Sequence, residues 1–403
     1  MSIEITSSSY AQLAYIAETE TGEIPSTGKG TNLRMTGESM EMSITKQASN
    51  EISNTRQTSS LHMMDVQNGG GINFELSAEE YDILLEAVLM GTWSKFGTDG
   101  VLAVQSVVVA YDTATDQSVL TITTSRNQDF TKLLAKDSYF RVVADNITQD
   151  FKKPLRIAAV EPSAITVYGK LPNVTLDTNV KLYHSQLRNG KKKRSFSIEK
   201  HFTDTDQTFV FTGMRANKLS LSFESKNVVT GSFDFIGNQF VKGQGNLLGD
   251  RTDYNLSKTC RGINTSIGMS NILIDGVDVR TTQTAAIQKM SLDYDNGMVG
   301  HAGLGVMGNV DVTAGNIQAE GTMSMYFNSV DIYDDIMNQV HHRFEFTAFD
   351  ADGHGYAFIF PRIELKDPKT AVNAQGEAVM TDLGYSGLES VDGQSTTLII
   401  ERF

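Results

Sequence analysis

A chain of 403 residues with one cysteine, one tryptophan, six prolines and seven histidines lacks the raw material for several kinds of protein. The lone thiol, Cys260, excludes an intramolecular disulfide framework and fits synthesis in a reducing cytoplasm. By itself it reads as a small buried side chain. No apolar run approaches the roughly 18 residues that span a bilayer, so no membrane segment is expected. Met1-Ser2-Ile3-Glu4 has neither the basic nor the apolar region of a secretory leader. Basic residues are also short, 34 against 48 acidic, for a formal charge of −14. The charge therefore argues against tight nucleic-acid binding, which needs basic patches to displace phosphate counterions, although nucleic acid could pass such a surface without adhering.

Motifs for chemistry are equally sparse. Gly303, Gly305 and Gly308 spell GxGxxG, but the strand before, helix after and later acidic residue of a dinucleotide site are missing. Asp350, Asp352 and Gly353 resemble the start of an EF-hand loop without its distal glutamate, and read as a hairpin turn. His341 and His342 are adjacent, so in a strand they face opposite sides and share no metal. No triad or carboxylate pair assembles from spacing. No catalytic, cofactor or metal site is expected.

What is present is a pattern used twice, an alternating strand running into an amphipathic helix. Ile72, Phe74 and Leu76 alternate with polar residues; Ser77 and Glu80 have the spacing of a capping box. Tyr81, Leu84, Leu85, Val88 and Leu89 then recur at helical spacing, and Gly91 closes the run. The second copy has Met323, Met325 and Phe327, then Asn328 as cap with Asp331. Its helical face is Ile332, Tyr333, Ile336, Met337 and Val340. Tyr81-Asp82 and Tyr333-Asp334 mark the two helices.

Elsewhere strand and turn texture prevails. Residues 33–46 read as a strand, and Thr45 to Gly71 as a long polar loop, a length usually functional or ordered by a partner. Residues 101–185 hold short strands and look like a small β domain inserted into a larger one. Asn189-Gly190 signals a turn and leads into Lys191–Arg194, read as a solvated turn or a charge partner for an acidic neighbour. Residues 241–285 read as an irregular connector. Thr36-Gly37 and Thr212-Gly213, each before an alternating strand, add support for internal duplication.

In this setting LRMTGESMEMSI, SNEI with RQ after it, and GGGINFELSAEEYDILLEAVLMGTW resemble the N-terminal region of major tail tube proteins of long-tailed, non-contractile (siphovirus-type) bacteriophages. The resemblance continues through LRNGKKKRSFSIEKHFTD, FVFTGMRANKLSLSF and VVTGSFDFIGN. It reaches SLDYDNGMVGHAGLGVMGNV, GTMSMYFNSVDIYDDIM and IIERF, and so covers nearly the whole chain. It implies a mainly β fold: two β-sandwich or half-barrel tube domains, each with a flanking helix and extended loop, plus the small inserted domain. Residues 1–97 would begin the first tube domain, 98–190 form the insertion, 191–240 complete or link the tube domains, and 241–403 form the second. The resemblance also implies self-assembly into rings of three or six chains, stacked as a hollow virion tail made in the host bacterial cytoplasm. Genome DNA would pass through the lumen without specific binding, and the partners would be other copies and other tail proteins, with no membrane. Ser49, Asn50, Glu51, Arg56, Gln57 and Asp65 would act in ring stacking. Tyr81, Leu84, Leu85, Val88, Tyr333, Ile336 and Met337 would form the cores of the flanking helices. A tube of a bacterial secretion or injection device, and a minor tube-end or baseplate protein, are the alternative readings.

Overall fold

The computed structural model describes residues 5–403 other than 53, 56, 98, 126–127, 148, 250–253, 259–260, 280–285, 328–329, 373–375 and 394. Arg56, Cys260 and Asn328 thus lie outside the described residues. The fold is mainly β, and no sheet closes into a barrel. A 19-stranded network and a separate eight-stranded sheet account for almost all of it.

Inside the large network one strand order occurs twice. In the first copy Thr31–Leu33 pairs Ala11–Ala17, which pairs Phe196–Phe202, which pairs the long strand Gln207–Glu224. The order continues through Thr230–Gly237, Leu61–Glu75 and Glu41–Ala48. In the second copy Val277–Asp278, Ile272–Ile274, His341–Phe349 and the long strand Gly355–Ala371 follow the same order. Met380–Gly387, Gln318–Tyr326 and Ile287–Asp295 complete it. Even the accessory strands correspond, Gln239–Gln244 on the first half of one long strand and Ile399–Arg402 on the first half of the other. The Thr-Gly pairs are not part of this repeat. Gly37 begins a short bridge to Leu61–Glu75, whereas Gly213 (φ 67°) lies in the middle of a long strand.

The copies are joined by strand pairing. Lys218–Glu224 runs antiparallel to Asp295–Lys289, with Leu219 opposite Tyr294, Leu221 opposite Leu292 and Phe223 opposite Met290. All six side chains are buried in the main core. Each apolar side chain taken out of water there contributes roughly 1.5–3 kcal/mol, so this seam holds the copies as one body.

The polar stretch from Thr45 to Gly71 is not a long loop. Leu61–Glu75 is a strand paired with Glu41–Ala48, and Ser49 N–H donates to the Ser60 carbonyl at 2.9 Å, which confines the loop to the tip. Glu41–Ala48 is exposed on both faces, and past Ile44 no apolar alternation marks it as a strand. The glycines look like a loop but serve close packing: at Gly70 (φ 139°) a Cβ would stand 2.3 Å from the Ser39 carbonyl oxygen. The strand expected over 33–46 is also broken, into Gly37–Glu38 and Glu41–Ala48. Part of the expected connector is regular too, since Ile272–Ile274 and Val277–Asp278 form a hairpin docked on His341–Phe349.

Neither helix begins where local signals place it. Residues 78–81 form a turn with Glu79 at φ 66°, and α1 (Asp82–Val88) starts without a side-chain cap. Tertiary donors take the capping groups instead. The Glu80 carboxylate accepts from the backbone N–H groups of Arg34 and Lys258, and Ser77 Oγ accepts from Arg34 Nη1. Met90 (φ 49°), not Gly91, is left-handed after α1. Gly91 answers a close approach, since a Cβ would lie 2.1 Å from the Arg188 carbonyl oxygen. The second helix, α2 (Asp331–Met337), has Val330 at its N-cap position and no capping side chain.

The eight-stranded sheet spans Val101–Ala103 to Lys181–Tyr183 and has its own core, including Val107, Leu120, Phe140, Ile157, Ile165 and Leu182. The chain enters through Ser94–Lys95 and leaves through Ser185–Arg188; these pair with each other, and the latter pairs with Ile399–Arg402. A buried polar contact fixes the sheet to the second copy. Arg156 pairs with Glu345 at 2.5 Å and Asp137 at 2.8 Å, and Arg343 also pairs with Glu345 at 2.9 Å. Tyr139 N–H donates to Glu401 at 2.6 Å, and the Tyr139 carbonyl oxygen lies 2.8 Å from His184 Nδ1.

This contact carries two opposed proton equilibria. Burial raises Glu401 to about 7 and lowers His184 to about 4. Glu401 binds its proton more tightly when folded, so its contribution is complete below about pH 4.5 and is lost as pH rises through 7. The His184 contribution is complete above about pH 6.5 and is lost as pH falls toward 4. Each is on the order of 3 kcal/mol. In Glu401→Gln the histidine is left unopposed. The melting temperature of the variant relative to the parent is expected to climb between pH 5 and 7.5, and a constant difference over that range would refute the assignment.

Candidate assembly surfaces

The hairpin Glu41–Ala48/Leu61–Glu75 carries its apolar side chains into solvent toward the tip. Met42, Ile44, Leu61, Met63 and Met64 are exposed, and Ile52 at the tip is 102% exposed. Ser49, Asn50, Glu51 and Gln57 belong to that tip. There Glu51 N–H donates to Ser49 Oγ, and Ser59 Oγ donates to the Glu51 carboxylate. Asp65 does not join them, because it sits within the strand opposite Thr45. Its carboxylate accepts from Gln67 Nε2 (3.1 Å), Val66 N–H (2.9 Å) and Gly308 N–H (3.2 Å). These bonds, that of Gln67 foremost, hold its pKa below the usual carboxylate value.

The bond from Gly308 reveals what the GxGxxG letters do. Residues 296–317 connect Ile287–Asp295 to Gln318–Tyr326 and so occupy the position that the exposed tip holds in the first copy. Rather than projecting, this segment folds onto the base of the first hairpin. Asn309 Nδ2 donates to the Gly237 carbonyl at 3.0 Å, and a Cβ at Gly308 would meet the Asn238 and Val66 carbonyl oxygens. Leu304, Val306, Met307 and Val310 remain exposed on it.

The helices differ as sharply as the loops. Tyr81, Leu84, Leu85 and Val88 are buried in the main core. Asp82, next to Tyr81, is half-buried: its carboxylate pairs with Arg402 and accepts from the Tyr356 hydroxyl at 2.8 Å. Tyr356 in turn accepts from Glu79 N–H at 2.8 Å, and Trp93 Nε1 donates to the Asp82 carbonyl. Burial pushes Asp82 above the ordinary carboxylate value, against the pull of Arg402 and Tyr356. The α1 helix of the first copy is thus anchored to strands of the second. The Tyr-Asp dipeptide marked the place in the sequence, but nothing local named Arg402 or Tyr356 as partners. In α2, Tyr333 and Ile336 are half-buried, with the Tyr333 hydroxyl 2.8 Å from Thr370 Oγ1, whereas Met337 is 82% exposed. Met337 is therefore no core residue; the short helix turns it outward.

The basic run divides. Arg194 pairs with Glu86 at 2.9 Å and donates to the Gly91 carbonyl at 2.5 Å, locking the end of α1. Lys193 lies 3.9 Å from Asp311, while Lys191 and Lys192 are exposed. Asp350 and Asp352 sit in the turn between His341–Phe349 and Gly355–Ala371, where Asp350 Oδ1 accepts from Asp352 and His354 N–H groups. Among the described residues no group of three His, Cys, Asp or Glu side chains is placed to hold a metal.

The exposed apolar side chains at the hairpin tip and at 304–310 are surfaces suited to association with other chains. The model of the phage tail tube protein family matches residues 8–394, and the chain belongs to that family. It is accordingly a structural component of a phage tail. A comparison with curated proteins returned no match.

The buried face of α1 makes a direct forecast. Leu84→Asp places an unpaired charge where the side chain is 1% exposed, at an expected cost of at least about 4 kcal/mol. Loss of the cooperative thermal transition is expected; an unchanged melting curve would remove this helix face from the core.

Proposed function

We propose that this chain is the major tail tube subunit of a long-tailed, non-contractile phage. Each chain supplies two tube domains and, from the first, the small inserted domain. Copies close into rings, the rings stack into a hollow tube, and genome DNA leaves through the lumen. The observation that carries this reading is the repeated strand order, closed by the seam between Lys218–Glu224 and Lys289–Asp295. Two like units per chain favour a ring of three chains, which presents six units. The net charge of −14 suits a channel that repels phosphate, so that DNA slides through without adhering. Such a subunit requires no cofactor and is made in the host cytoplasm before incorporation into the tail.

The projecting tip is assigned to contact between stacked rings, with the exposed Ile52 side chain covered by the adjoining ring. Electron micrographs of purified protein are expected to show tubes with rings of three chains, and virions are expected to contain the chain at high copy. Low copy number would favour a tube-end or baseplate role, and tubes absent from virions would favour a secretion device. Removing residues 50–59 is expected to leave a folded subunit that no longer forms tubes; tubes of normal length would refute the stacking role.

A further inference from the structure

Among the described residues two strand edges remain unpaired at the positions that the seam occupies inside the chain. In the first long strand, Lys218–Glu224 pairs Thr230–Gly237 on one side and Ile287–Asp295 on the other. The second long strand matches it on one side, where Met380–Gly387 pairs residues 363–371. On the opposite side His341 and His342 reach only Glu364 and Ile363, and residues 365–371 pair no described strand. The structural counterpart of Ile287–Asp295 is the run from Gly37 to Ala48. It pairs Leu61–Glu75 on one side and no described strand on the other.

We propose that these two edges pair between copies of this chain, in the register that the internal seam already uses. The inference rests on the tube reading and adds to it a named joint. Register transfers through shared neighbours. Lys218 and Ser220 lie opposite Asp234 and Ser232, which lie opposite Gly71 and Asn73. Lys366 and Lys369 lie opposite Gly384 and Asp382, which lie opposite Thr322 and Ser324. On the other partner, Asp293 and Asp295 lie opposite Glu320 and Gln318, as Glu41 and Ser43 lie opposite Gly69 and Gln67. The internal contacts Lys218–Asp295 and Ser220–Asp293 therefore become Lys366–Ser43 and Lys369–Glu41 between copies.

Charge supports that register. The edge at 366–369 carries Lys366 and Lys369, while the edge at 38–41 carries Glu38 and Glu41. Lys366 and Glu38 have partners within the chain, Glu320 at 3.0 Å and Lys200 at 2.6 Å. Lys369 and Glu41 are exposed and make no ion pair among the described residues. Internally the same place holds an ion pair, Lys218 with Asp293 at 3.4 Å. The joint is head-to-tail, so repetition closes a ring only if its rotation closes. Pro368 withholds one donor and, with the lysines, limits indiscriminate pairing at this edge.

The test uses the full chain with Cys260→Ser as parent, carrying the pair E41C and K369C, assembled and then oxidised. Opposed Cβ atoms in an antiparallel pair lie about 4.5–5.5 Å apart. A ladder of covalent dimers and trimers in denaturing gels is therefore expected. The pair S43C and K369C, slipped by two residues, is expected to give at least tenfold less product. Rings or tubes in micrographs without the ladder, or with equal ladders from both pairs, would overturn the joint and leave the tube reading intact. A parent that forms no rings or tubes would overturn both. Should the cysteines themselves block assembly, charge exchange decides. E41K and K369E are each expected to impair tube formation and together to restore it, whereas two single variants that assemble like the parent would overturn the joint.

Discussion

The antiparallel seam between Lys218–Glu224 and Lys289–Asp295 is the contact on which the rest of the molecule depends. It turns two separate strand sets into one continuous sheet and so gives the chain a single main core. Without it each half would expose a long apolar edge, the arrangement most open to aggregation. With it, the unpaired edges move to the two ends of the sheet.

Buried and half-buried charges reinforce that arrangement away from the seam. Asp82 with Arg402 and Tyr356 ties the first helix to the second copy, and Glu345 with Arg156 and Arg343 ties the inserted sheet to the same copy. Buried ion pairs of this kind add little net stability, because desolvation opposes attraction. They are costly to break singly, however, and so they discriminate against misplaced docking. The second copy thus serves as the frame on which both the helix and the insertion are positioned.

Sequence reading succeeded where one face of an element meets the core. Leu84, Leu85 and Val88, and the alternations at Ile72–Phe74 and Met323–Met325, were legible because burial writes a period into the residues. It failed where the controlling partner is remote. Ser77 and Glu80 looked like a local cap, but Arg34 and Lys258 hold them. Thr45–Ala48 with Leu61–Val66 looked like a loop because a hairpin projecting from the body needs no apolar face. Met337 kept the helical spacing of a core residue, yet α2 ends before that turn can be covered. The duplication itself was visible in one strand-helix unit, while its full extent required the pairing order.

Duplication within one polypeptide also separates two demands that a single-copy subunit must meet at once. A joint that opens in the free subunit has to stay soluble, whereas a joint sealed during folding has no such obligation. The sealed position carries Leu219, Leu221 and Tyr294, while its counterparts on the open edges are Pro368, Thr370 and Met42, among lysines and glutamates. If the proposed joint forms, tethering leaves one contact built for cohesion and its twin for restraint.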